Sequence, residues 1–256
     1  MTRPGIHDAA AYGDAIADVY DELHGFLGDP AEEVSVLAQL ADGGPALELG
    51  VGTGRLALPL AARGVPVSGI DASAKMLARL RAKPGAAAVV LAQGDFADVD
   101  VPGRYGLIYV CFNTFFGLIT LDAQARCFAR AAAHLRPGGR LLVEAFVPNR
   151  RRSPAHHTVR EERVPGGTLF SISRHDPVRQ RISTSEILIR ADGSRRAHPI
   201  ELRYATLVEL DVMACLAGMG LEHRWSSWRR ATFGPESGKH ISVSRLPGRA
   251  ETATLG

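Results

Sequence analysis

The sequence predicts an α/β fold, a doubly wound parallel sheet that carries an antiparallel insertion. Three observations point there. Between residues 46 and 146, short buried-strand runs alternate with helical spacings, and glycine or proline marks the joints. A glycine-rich turn, GVGTG at 50–54, leads from the first of these strands into a helix. Residues 157–205 then change period, alternating every two residues between turn signals.

Before the first strand, residues 7–27 and 30–41 place Ile16, Val19, Tyr20 and Leu23, then Val34, Leu37 and Leu40, at helical spacing, with Pro30 suited to a helix start. ALELG reads as a strand and RLALPLAARG as a helix closing on Gly64. PVSGID is a strand and SAKMLARLRA a helix. VVLAQGD and YGLIYVCF are strands, QARCFARAAAHL is a helix, and RPGG turns into the strand RLLVEAF. In the insertion, Phe170, Ile172, Ile182, Ile187, Ile189, Ile200 and Leu202 alternate, with turns at PGG 165–167, DP 176–177 and ADG 191–193. Leu207, Leu210, Met213 and Leu216 return to helical spacing before two closing strands, around LEHRWSSW and HISVSRL. The expected organisation is thus a helical segment at 1–42, a core at 43–150, an antiparallel insertion at 151–205, a return to the core at 206–246 and a flexible tail at 247–256.

Bulk properties narrow the function class. The 256 residues suffice for one large domain with a smaller insertion, and 46% apolar with 22% charged residues is ordinary for a globular chain. The net charge of +3 is weak ground for a nucleic-acid partner, because arginines are interleaved with acids and only Lys75, Lys83 and Lys239 are lysine. The run Arg150-Arg151-Arg152 reads as a solvated loop. Cys111, Cys127 and Cys215 are odd in number and lack metal-ligand spacing, so neither a disulfide framework nor a metal site is expected. No signal-peptide pattern or bilayer-length apolar run occurs, and a reduced, cytoplasmic location without membrane contact is expected.

The chemistry concentrates at 46–64. A buried strand runs through Glu48 into Gly50, Gly52 and Gly54, where glycine permits a sharp turn and close approach of backbone to a ligand. Arg55 stands where the dinucleotide fingerprint needs its third glycine, which argues against an NAD enzyme. The second strand ends in Asp71, seventeen residues after Gly54, where a carboxylate can accept from both ribose hydroxyls. The third ends in Gly94-Asp95-Phe96, an acid and an aromatic suited to an adenine amino group and ring face.

Together, motif 47–55, Asp71 with DASAKML, Asp95 and LRPGGRLLVEAF resemble the class I S-adenosylmethionine-dependent methyltransferases over about residues 40–246. The resemblance implies a Rossmann-like seven-stranded sheet with a final antiparallel strand and an N-terminal helical lid. It also implies S-adenosyl-L-methionine as cofactor, leaving as S-adenosyl-L-homocysteine. Gly50 and Gly52 would pass the methionine moiety, Glu48 would orient its amino group, and Arg55 would reach its carboxylate. Asp71 and Ala72 would adjoin the ribose, Met76 and Phe96 would flank adenine, and Asp95 would meet the adenine amine. Tyr20 would close over the cofactor, and Cys111 would lie beside it.

For the acceptor, the fourth-strand end Phe112-Asn113-Thr114-Phe115 lacks the Pro-Pro turn usual in methyltransferases of nucleobase amines and glutamine amides. The insertion resembles the layout of small-molecule members, including amino-sugar N-methyltransferases of natural-product pathways. The expected reaction is methyl transfer to N, C or O of a small, partly aromatic specialised metabolite. A nucleic-acid or protein methyltransferase, and a catalytically degenerate cofactor-binding regulator, are the competing readings. Asn113, Glu144, His175 and His240 are the catalytic candidates. Phe115, Phe116, Arg174, Tyr204, Trp225 and Trp228 are the acceptor-binding ones. Monomer and homodimer are left open.

Overall fold

The computed structural model describes residues 8–23, 30–148 and 158–248. The Arg150–Arg152 run and the expected tail beyond residue 248 lie outside the described residues. Two short helices, α1 (Ala11–Ile16) and α2 (Tyr20–Leu23), occupy the segment expected as one continuous helical run, with a turn at 17–19 between them. Helix α3 (Ala31–Ala41) starts after Pro30, whose φ of −78° suits a helix entrance, and stops at Asp42 in the left-handed region.

The core alternates as expected: β1 (Ala46–Leu49), α4 (Ala57–Ala62), β2 (Val67–Asp71), α5 (Ala74–Arg81), β3 (Val89–Gln93), β4 (Tyr105–Val110), α6 (Leu121–His134) and β5 (Leu135–Phe146). Ser73 and Thr120 cap α5 and α6 by accepting the amides of Met76 and Ala123. Strand β5 begins five residues earlier than the RPGG turn implies. The turn is absorbed as an irregularity between Tyr105 and Leu107 in the β4 pairing, with Gly138 at φ 78°.

Four antiparallel strands follow, β6 (Thr158–Val164), β7 (Gly167–Asp176), β8 (Arg181–Arg190) and β9 (Arg195–Arg203), and then α7 (Leu207–Leu216), β10 (Gly220–Trp225) and β11 (Lys239–Arg245). The main sheet has the order β10-β11-β5-β4-β1-β2-β3. Only β11 opposes its neighbours, pairing antiparallel with β5 and β10. The fold is therefore a Rossmann-like α/β sheet of seven strands with a reversed strand near one edge, plus a separate meander in the order β6-β7-β8-β9.

Helices α6 and α7 cover one face, where Phe115, Phe116, Phe128, Val143 and Leu210 are buried. On the other face Leu37, Leu60, Leu77 and Leu80 of α3, α4 and α5 pack on Leu107, Tyr109 and Ile241. Each such buried side chain contributes about 1.5–3 kcal/mol relative to exposure. A third cluster joins Ile16, Val19 and Leu23 of the N-terminal segment to Met76 of α5 and to Leu169 and Leu188 of the meander. The short helices are thus held between sheet and meander, above the carboxyl ends of β1 and β2.

Candidate functional site

The glycine turn follows β1 directly. Gly50, Gly52 and Gly54 all have positive φ (71°, 53° and 85°), a region that L side chains enter at a cost of about 1 kcal/mol or more. A Cβ on Gly52 would meet no atom within 4 Å, so the backbone there borders open space. A cleft open to solvent lies beside it, lined among others by Tyr20, Glu48, Arg55, Cys111 and Thr114.

Asp71 is built into this turn. Its carboxylate accepts the Gly52 amide on Oδ2 and the Ser73 amide on Oδ1, each at 2.8 Å. Each oxygen keeps a second lone pair, which fits two vicinal hydroxyls. Asp95 accepts the Ala97 amide on Oδ1 at 2.8 Å and leaves Oδ2 for an amine donor. Phe96 lies at the same turn, its ring edge 3.7 Å from the Cβ position of Gly50. These groups fit the adenosine half of the expected cofactor.

Glu48 faces the cleft from β1 and is almost fully buried. Burial pushes its carboxyl up to about 8, against the hydrogen bond that the Tyr109 hydroxyl donates to Oε2 at 3.1 Å. Arg55 also lines the cleft, tied to Glu33 at 3.3 Å rather than pointing to solvent. Ala72 follows Asp71 directly, and Met76 is buried under the N-terminal segment. Tyr20 lines the cleft, and burial pushes its phenol up to about 12. The same segment is pinned by Asp14 to Ser73 (2.5 Å), by Asp21 to Thr53 (2.6 Å) and Lys83 (2.7 Å), and by Glu22 to Arg190 (2.8 Å).

The fourth-strand end is strained. Phe112 and Asn113 are consecutive non-glycine residues at positive φ (56° and 65°). Two side-chain contacts hold them. Asn113 Oδ1 accepts the Phe146 amide at 2.8 Å, and Glu144 Oε2 accepts the Phe112 amide at 3.1 Å. Glu144 Oε1 accepts from Trp228 Nε1 and Lys239 Nζ, both at 3.0 Å. Asn113 Oδ1 ties the loop to β5 and Glu144 Oε2 ties β5 to the loop, so the oxygens of both catalytic candidates are engaged in fastening it.

Several other candidates stand away from it. Phe115 and Phe116 have no exposed surface; they pack edge-on against Phe128 and Phe146, in the core instead of on an acceptor wall. His240 is fully buried and shares the face of Ala145, opposite to Glu144, because adjacent residues of a strand point to opposite faces. Its Nδ1 meets Ser242 Oγ at 2.9 Å, and burial, with the Arg224 charge, lowers it to about 4. Trp225 stacks on His223 and lies under Arg230, and Trp228 is buried at Glu144, so neither reaches the cleft. Arg174 is exposed on the outer meander face. His175, on the inner face, meets the buried Tyr204 hydroxyl at 2.9 Å.

Sequence reasoning missed Thr53, which couples the glycine turn to Asp21, and Tyr109, which supports Glu48. Strand alternation identifies Tyr109 as a buried partner of Glu48, its paired residue in β1.

Residues 46–139 match the methyltransferase domain family. Among solved structures, the chain is similar to the CcbJ methyltransferase of Streptomyces caelestis, at 39% identity and a TM-score of 0.88, covering 94% of this chain and 100% of that one. An amino pentose methyltransferase from Micromonospora echinaspora, solved with S-adenosylmethionine bound, shares the fold at 23% identity and a TM-score of 0.68, over 89% of this chain and 96% of that one. A trans-aconitate 2-methyltransferase of Paracidovorax citrulli is 32% identical over 157 residues, 60% of this chain and 57% of that enzyme. The chain spans about half the length of the first curated relatives it matches, 53% and 57%. Among the described residues no helix is long and apolar enough to cross a membrane, and no cluster of metal-ligating side chains occurs.

Proposed function

Since the chain belongs to the S-adenosylmethionine-dependent methyltransferases, we propose that it transfers the cofactor's methyl group to a small specialised metabolite held beneath the meander. The observation that supports a compact acceptor is the enclosure. Leu169 and Leu188 of the meander pack on Ile16, Val19 and Leu23, so roof and lid close together over the rim of the cleft. Among the described residues, arginines that border the lid are engaged with its acids, Arg79 of α5 with Asp18 and Arg190 of the roof with Glu22, which does not favour a phosphate track there. The similar protein of Micromonospora echinaspora is an amino pentose methyltransferase involved in calicheamicin biosynthesis, which supports a small acceptor of that kind.

When bound, the cofactor supplies an electrophilic methyl on a sulfonium, so positioning contributes much of the rate. Asp71 would hold the ribose hydroxyls while its bonds to Gly52 and Ser73 fix its rotamer. Asp95 would take the adenine amine. Glu48 would accept from the ammonium of the methionine part, which draws its raised carboxyl back to the charged form. Thr114 and Cys111 would border the methyl-bearing end. Asn113 and Glu144 act as positioning residues that hold this loop in its left-handed conformation.

The test is incubation with S-adenosylmethionine and fractionated small-molecule extracts, read by mass spectrometry. A cofactor-dependent gain of one CH₂ on a small metabolite is expected. Gain on RNA, DNA or protein alone would overturn the small-acceptor reading.

A further inference from the structure

The inner face of the meander holds a carboxylate and an imidazole nitrogen without a hydrogen-bond partner among the described residues. In register across the sheet stand Arg160, Ser171, Glu186 and His198. Glu186 lies two residues before Leu188, which packs on the lid, so both side chains face α1 and α2. Among the described residues Glu186 makes no ion pair or side-chain hydrogen bond, unlike Glu22, which is paired with Arg190 of the same strand. His198 is 3% exposed, and among the described residues its Nε2 has no hydrogen-bond partner. The next row across the sheet is self-satisfied, since Ser173 and Thr184 bond each other at 2.9 Å.

We propose that Glu186 and His198 form the acceptor-anchoring site of this protein, taking a protonated amine of the acceptor beneath α1. The assignment of this ligand as the acceptor rests on the methyl-transfer reading. An ammonium carries three donors and no acceptor, whereas two carboxylate oxygens and an unprotonated imidazole nitrogen are acceptors only. Burial lowers the proton affinity of His198, with the Arg196 charge adding to it, which keeps the ring in its accepting form. Burial, with Glu162 nearby, raises that of Glu186, the signature of a carboxylate without a cation. The site also connects to the cleft. Tyr12 and Tyr20 both pack against the cluster that holds Leu169 and Leu188, and Tyr20 lines the cofactor cleft.

The test uses the full chain saturated with S-adenosylhomocysteine and two probes of matched shape, cyclohexylamine and cyclohexanol, with binding followed by ligand-observed NMR and by the His198 ring resonances. Wild type is expected to bind the amine more tightly and to shift the His198 resonances. Glu186→Gln is expected to weaken amine binding about tenfold or more, the scale of one charge-assisted hydrogen bond, and to leave cyclohexanol and S-adenosylhomocysteine binding unchanged. Glu201→Gln, on the outer face of β9, is the control and should bind like wild type. Equal affinity of wild type for amine and alcohol, or an undiminished amine affinity in Glu186→Gln, would overturn the anchor. Failure of wild type to bind S-adenosylhomocysteine at all would instead overturn the methyl-transfer reading beneath it.

Discussion

Glu144 Oε2 accepts the backbone amide of Phe112 at 3.1 Å, across 32 residues of sequence. With Trp228 and Lys239 on the other oxygen, the carboxylate is a fastening for a left-handed loop, not a free base. Glu144→Ala should cost about 1.5–3 kcal/mol, because the Phe112 amide and Trp228 N–H lose a charged acceptor while half-exposed Lys239 rehydrates, and should weaken cofactor binding. Thermal unfolding and calorimetry read both effects. Raising the pH, which relieves a missing base, should not restore turnover, and Glu144→Gln should recover part of the stability.

Asp71→Ala removes the acceptor for Gly52 and Ser73 as well as the expected ribose contacts. At about 1.5–3 kcal/mol for each hydrogen bond to a charged group, cofactor affinity should fall by roughly a hundredfold or more. Gly52→Val places a β-branched side chain at φ 53° and in the open space beside the turn, and should abolish binding. Isothermal titration with S-adenosylhomocysteine checks both, and unchanged affinity in either would remove the glycine turn from the cofactor site.

Glu48, held at about 8 by burial, carries a proton at neutral pH in the free protein. Pairing with the cofactor ammonium requires that proton to leave. The complex then binds fewer protons than the free protein, so affinity rises with pH toward about 8. Titrations in buffers of different ionisation enthalpy near pH 7 should report proton release on binding, and Glu48→Gln should remove it.

Acid stability should fall in two stages. His240, lowered to about 4 by burial, binds protons more readily in the unfolded chain, where its ordinary value is 6.5. Its contribution is therefore full above 6.5 and is lost as pH falls through about 4. Glu209 is pushed up by burial, but the Thr206 amide, Gln180 and Arg203 outweigh this and hold it at about 2, against 4.5 ordinarily. Its contribution is present above 4.5 and is lost as pH falls through about 2. The His240 contribution represents about 3 kcal/mol, and that of Glu209, which is open to solvent screening, about 1 kcal/mol. Denaturant titrations of His240→Phe against pH should lack the upper stage and retain the lower.

The glycine turn, Asp71 and Asp95 were legible in the sequence because their geometry follows from strand ends and backbone alone. The meander was legible as a period of two, but not which of its faces met the lid. Phe170, Ile172 and Ile187 carry the visible apolar pattern, yet Leu169 and Leu188 make the buried contact. That choice depends on where two short helices dock, a tertiary event with no local signal. His240 and Glu144 stand close together along the rim but on opposite faces, and alternation within β5 and β11 separates them only once the register is known. Phe115 looked like a pocket wall because it follows a strand end. A 3₁₀ turn over Thr114–Gly117 folds it back into the core instead.

The reversed strand β11 has a consequence for the order in which the molecule assembles. It lies between β5 and β10, although its residues come last in the sheet by sequence. The donors that fasten Glu144 come from 84 and 95 residues further along the chain, so the closure of large loops must precede them. A nascent chain that has passed residue 146 already holds β1, β2 and the glycine turn, yet the lip of the cleft stays unfastened until Trp228 and Lys239 arrive. The fastening of the cleft's lip therefore depends on contacts from the segment spanning the last two strands of the sheet, the most distant in sequence from the glycine turn.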